Sequence, residues 1–144
     1  KQDLNKFSKI YYKILDYIKS DDQIIHLSDD YGQLDFLLCL DSIDRNIFTY
    51  ISNRKILKIL NNSFITNNRR KIKFSDKIDE ITKNDSNSII LNTTDKNINI
   101  TKFSNKKNTK LFLLKNSRYL SIEQFVNLGF KEVFSNSNLL ILKK

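Results

Sequence analysis

Seven consecutive positions, His26-Leu27-Ser28-Asp29-Asp30-Tyr31-Gly32, hold the densest group of chemically capable side chains in this chain. They include its one His and one of its two glycines. An imidazole beside Asp29, Asp30 and Asp35 could ligate a metal, since nitrogen and carboxylate oxygen are ordinary donors for a divalent ion. Asp35, however, falls within helical spacing, and spacing alone does not select a metal. The plainer expectation is that His26 bonds to backbone or to an Asp, while the Asp side chains cap a helix opening near Tyr31. No metal is expected. Nucleophilic catalysis also lacks its parts. Cys39 sits among leucines in a helical run, no G-x-S-x-G elbow is present, and His26 would be the sole base for any Ser or Cys.

The elements that must position these residues can be read from hydrophobic periodicity. Leu4, Phe7, Ile10, Tyr11, Ile14, Leu15 and Ile18 recur at three- and four-residue steps, one stripe of an amphipathic helix over 4–18. Asp21-Asp22 break it, and 23–27 (QIIHL) follows as a buried strand. Tyr31 to Ile43 returns to helical spacing, with Leu34, Leu37, Leu38 and Cys39 inward. The run 46–51 (NIFTYI) has the β-branched and aromatic content of a strand. Ser52 or Asn53 can cap a helix with Ile56, Leu57, Ile59, Leu60 and Phe64 on one face. Further strands are expected at 70–74, 88–92 and 110–114, with weak helical character over 76–84 and a loop or irregular helix over 93–108. Ser121 can open a last helix that Gly129 closes, and 131–135 and 139–144 form a hairpin about Asn136-Ser137-Asn138. Alternating strands and helices imply a mostly parallel sheet covered on both faces, because each parallel connection requires a crossover.

Size and composition bound the function. A chain of 144 residues that is 40% hydrophobic and 11% aromatic can bury a genuine core as one domain. We divide that domain into an N-terminal helix (1–20), an alternating core (21–114) and a helix with closing hairpin (115–144). No apolar run approaches the ~18 residues of a membrane span, and no signal-peptide pattern opens the sequence. A soluble, cytoplasmic location is the expectation. Residues 1–52 carry 6 Lys/Arg against 9 acids, whereas residues 53–144 carry 19 against 7, so the positive charge is concentrated in the second part. The basic runs 67–73 and 105–110 could meet phosphates, but aromatic residues are sparse there and a solvated surface explains the lysines. Abundant Asn, Lys and Ile with no Pro, Met or Trp fits an AT-rich genome, and the absence of Met suggests a segment of a longer protein.

The element order resembles that of the class I S-adenosylmethionine-dependent methyltransferases, in which seven strands end in an antiparallel one. In residues the resemblance rests on two stretches. IIHLSDDYGQLDFLL, 24–38, is similar to the family's first strand and its loop of the form D-x-G-x-G-x-G, with Tyr31-Gly32 matching the final x-G. FVNLGFKEVFSNSNLLILKK, 125–144, is similar to the last helix and closing hairpin. The resemblance implies a Rossmann-like three-layer α/β/α sandwich with cofactor above the first two strands. Three cofactor features depart from it. His26 stands at the loop's acid, and Ser28 and Asp30 stand at its first two glycines, where a Cβ intrudes on the cofactor. The acid that would hold the ribose hydroxyls should fall near Tyr50–Ile51, yet no carboxylate occurs from Arg45 to Asn68. Beyond the fourth strand, Asn92 and Asp95 are present without the D/N-P-P-Y pattern.

From these departures we expect a methyltransferase-like domain that does not methylate and binds no cofactor, with Tyr31 and Gly32 a vestige of the site. It would act as a structural or interaction module, with other domains of a longer chain or a protein partner, such as the end of a multidomain bacterial protein. Two alternatives stand beside this. One is an active S-adenosylmethionine-dependent methyltransferase with a divergent loop; the other is a basic nucleic-acid-binding module.

Overall fold

The structure, a computed structural model, describes residues 2–19, 22–28, 46–63, 72–83, 87–92, 108–114 and 122–144. Seven strands form one sheet: β1 (Gln23–Ser28), β2 (Asn46–Tyr50), β3 (Ile72–Ser75), β4 (Ser88–Asn92), β5 (Lys110–Leu114), β6 (Lys131–Ser135) and β7 (Leu139–Lys143). Their spatial order is β3-β2-β1-β4-β5-β7-β6. The first five run parallel, and β7 enters antiparallel between β5 and β6. The chain order reverses between β1 and β4, so the carboxyl ends of β1, β2 and β4 meet at a topological switch point, where open α/β sheets hold ligands. The central strands are buried on both faces and read as unbroken apolar runs, as in Ile89-Ile90-Leu91 and Leu111-Phe112-Leu113-Leu114.

Period-two alternation divides the core between the two faces. One face carries Ile24, Ile47, Ile90, Phe112, Leu114, Leu139 and Ile141 beneath α1 (Gln2–Leu15), which contributes Ile10, Tyr11 and Ile14. The opposite face packs Ile25, Leu27, Ile89, Leu91, Leu111 and Leu113 with Phe125 and Phe130. Burial of each such side chain is worth roughly 1.5–3 kcal/mol. The helix expected over 4–18 stops at Leu15. Tyr17 N–H bonds the Ile14 carbonyl at 3.0 Å and Ile18 N–H bonds that of Leu15 at 3.3 Å, so the last turn tightens to i→i−3 bonds and still leaves Ile18 in the core. Tyr17 packs on Phe134 of β6, centroids 5.9 Å apart, and Lys13 Nζ lies 5.0 Å from that same ring.

The caps follow local chemistry. Of the two candidates for α2 (Arg54–Ser63), Asn53 is the cap, its Oδ1 accepting from Lys55 N–H at 3.0 Å and Ile56 N–H at 3.3 Å. Ile59, expected inward on that helix, is 63% exposed, while Leu60 is buried. Positions 56 and 60 share a line on the helix, and 59 lies about 100° away from 60 on the solvent side. The weakly helical 76–84 segment forms α3 (Ile78–Thr82), anchored by Ile81.

The last helix, α4 (Ile122–Asn127), ends in a Schellman motif. Gly129 has φ +95°, its N–H bonds the Val126 carbonyl, and Phe130 N–H bonds the Phe125 carbonyl, both at 3.0 Å. The Phe125 and Phe130 rings meet edge to face at 6.2 Å, the apolar contact that accompanies such a cap. At the hairpin, Asn136 Oδ1 accepts from the Asn138 and Leu139 N–H groups, each at 2.8 Å, closing the turn between β6 and β7. Among the described residues no helix is long and apolar enough to cross a membrane.

Candidate functional site

Parallel register brings the polar residues of β1, β2 and β4 together near the switch point. His26 lies opposite Thr49 of β2 and Ile90 of β4, and Ser28 lies opposite Asn92. His26 and Ser28 share the face covered by α1, because Ile24 two residues earlier packs beneath that helix. His26 has no exposed surface, and its Nε2 is 3.1 Å from the Tyr11 hydroxyl. The rings meet edge on, with centroids 5.6 Å apart. A hydroxyl serves either imidazole tautomer, donating to a bare Nε2 or accepting from a protonated one. The expectation that His26 bonds backbone or an Asp is thus corrected at Nε2: its partner is a tyrosine fifteen residues earlier, delivered by the docking of α1.

Burial pushes the His26 pKa down to about 3, since an imidazolium in this packed interior would forfeit its hydration. The ring is neutral at physiological pH and has no surface exposed to solvent. Ser28 and Thr49 are equally buried. The Thr49 hydroxyl has no hydrogen-bond partner among the described residues. These side chains form a buried polar group within the sheet layer.

The carboxyl end of β2 carries Tyr50 and Ile51. Ile51 is wholly buried and its N–H bonds the Ser75 carbonyl at 2.8 Å, extending the pairing with β3. No acid lies in 46–63. The acid just beyond β3, Asp76, pairs with Arg54 Nε at 3.2 Å. No carboxylate therefore stands at the strand end where the resemblance places one. Tyr31 and Gly32, with Asp29, Asp30, Asp35, Cys39 and Asp95, lie outside the described residues. Among the described residues no group of three His, Cys, Asp or Glu side chains is arranged for a metal.

The amino-terminal edge of the sheet holds a polar constellation with little local signature. Asp22, which had read as a helix breaker, is nearly buried, and so is Lys110, which had read as part of a solvated basic run. Lys110 Nζ donates to Asp22 Oδ2 and to the Tyr17 carbonyl, both at 2.9 Å. Asp22 also accepts from Lys19 N–H at 2.8 Å, Asn87 Nδ2 at 2.8 Å and Ser88 Oγ at 3.2 Å. Burial raises the Asp22 pKa, but these donors, with the charge of Lys110, more than reverse it and hold the carboxyl below its ordinary value. The pair ties the end of α1 and the starts of β1, β4 and β5 into one joint. The only signal in the sequence was a charged residue directly at the mouth of a fully apolar strand, Lys110 before Leu111-Phe112-Leu113-Leu114.

No protein-family model matches the chain, and no curated protein matches it by sequence. Solved structures do match it by fold. The 16S rRNA methylase ArmA superposes with a TM-score of 0.64 at 15% identity, over 95% of this chain and 81% of that one. Precorrin-6y C5,15-methyltransferase from Geobacter metallireducens gives 0.63 at 10% identity, over 93% and 85%. SMU.1697c from Streptococcus mutans, solved in complex with SAH, gives 0.54 at 8% identity, over 94% and 96%. At such identities the likeness concerns the fold. That fold is the Rossmann-like one of the class I S-adenosylmethionine-dependent methyltransferases, with its closing antiparallel strand.

Proposed function

We propose that this methyltransferase-fold domain does not transfer methyl groups and serves as a structural or interaction module of a larger protein. The observation that carries the reading is the carboxyl end of β2. Ribose recognition needs a paired acceptor for two neighbouring hydroxyls, and Tyr50, Ile51, Ser52 and Asn53 supply no carboxylate there. The end of β1 supports the same reading, since His26 and Ser28 stand where the resemblance expects an acid and a glycine, and both are enclosed. Tyr31 and Gly32 would then be vestiges of the cofactor loop.

Calorimetric titration with S-adenosylmethionine and with its demethylated product tests this. The expected outcome is no saturable heat up to several hundred micromolar of either. Saturable micromolar binding would overturn the proposal and favour an active transferase with a divergent loop. That second reading draws its support from the completeness of the seven-stranded sheet and from the SAH-bound neighbour.

A further inference from the structure

At the edge of the sheet opposite the switch point lies a pocket of about 270 Å³, lined by Lys19, Asp22, Asn87, Asn108, Lys110 and Lys143. Every lining residue is polar, and the charged ones are three lysines and one aspartate. Asp22 is already committed, because both of its oxygens accept hydrogen bonds from protein donors. Lys110 is fixed by its two acceptors, so its charge sits at the pocket wall without a further rotamer cost. Asn108, in the left-handed region with φ 66°, completes the lining.

Strand register adds an independent observation. Lys110 of β5 lies directly opposite Lys143 of β7, and Lys143 lies directly opposite Lys131 of β6. Directly opposed residues of antiparallel strands project to the same face, where like charges repel. Lys143 and Lys131 thus add two positive side chains to the face on which Lys110 is already paired with Asp22, an excess of positive charge that a bound anion would offset.

We propose that this pocket binds a phosphate group, either free or carried on a polynucleotide backbone. The lining carries a charge of about +2, which complements the −1.5 to −2 of a phosphate monoester near neutral pH and is more than enough for the single negative charge of a backbone phosphodiester. Lysine ammoniums act on phosphate as mobile point charges, and the neighbouring carboxamides add directional donors. The site is independent of S-adenosylmethionine binding, since it lies at the amino ends of β1, β4 and β5.

Isothermal titration at constant ionic strength, with inorganic phosphate in one arm and a single-stranded oligonucleotide in the other, tests the proposal against chloride as reference. Lys143→Ala, at the exposed end of β7, should weaken binding roughly tenfold, the loss of one charge-assisted hydrogen bond. Lys58→Ala, exposed on α2 and away from the pocket, removes the same charge and should leave binding unchanged. Phosphate binding that depends on Lys143 assigns the site to free phosphate groups. Oligonucleotide binding alone, with the same dependence on Lys143, assigns it to a polymer backbone. Absence of binding in both arms, or equal effects of the two variants, overturns the proposal.

Discussion

His26 is an enclosed ring of β1 whose Nε2 meets the Tyr11 hydroxyl. Its pKa is lowered by burial to about 3, so between about pH 6 and 4 the unfolded chain binds a proton that the native chain excludes. Stability must therefore rise with pH across that window, by about 1.4 kcal/mol per unit at its steepest. Urea unfolding at pH 4.5, 5.5 and 6.5 measures the slope. His26→Gln, which cannot protonate, should flatten it, and no other His complicates the comparison. Asp22 titrates in a separate, lower range. Its folded pKa is depressed, so its contribution is full above the ordinary carboxylate value near 3.8 and is lost as pH falls through the folded one.

The Asp22–Lys110 pair makes a second prediction at this scale. Removing either partner leaves the other buried and uncompensated, which costs about 3–5 kcal/mol. Asp22→Asn and Lys110→Met should each be strongly destabilising. The double variant should cost less than the sum of the two by about 1–3 kcal/mol, as a denaturation cycle would show. Equal additive losses would mean that the surrounding donors, not the pairing, hold this joint.

Among the elements, the ends are better determined than their partners. Gly129 was recognisable as a helix terminator because only glycine adopts φ +95° without strain, and the helix start as capped by Ser52 or Asn53, of which Asn53 satisfies the helix N–H groups. Both are decided within a few residues of chain. Gly129→Ala should destabilise by about 1–2 kcal/mol, with Gly129→Asn costing less, read as a shift in urea midpoint. A Cβ there would meet only Lys144 Cε, at an ordinary 3.9 Å, so the loss would come from backbone conformation rather than collision. Strands 88–92, 110–114 and 131–135 were legible to the residue, since long apolar or alternating runs are bounded by polar turns. The end of α1 was not: Ile18 keeps the helical spacing and the burial, but hydrogen bonding there has already tightened to a turn.

For the molecule as a whole, the sequence by itself determined the alternation of strands and helices, the closing hairpin and hence the class of fold. Hydrophobic periodicity and turn chemistry act over a few residues, and the rule that parallel strands need crossovers converts their order into a topology. It also determined the lack of a carboxylate at the end of β2, because an absent residue type is absent in any conformation. Only the tertiary structure decided that His26 meets Tyr11 rather than an Asp, that Lys110 and Asp22 are interior, and that Lys110, Lys143 and Lys131 stand in one row. Those outcomes join residues separated by up to 88 positions, and they follow from strand register and helix docking. Charge and polarity in a sequence say what a side chain can do; which atoms surround it is fixed by packing, which has no local signature.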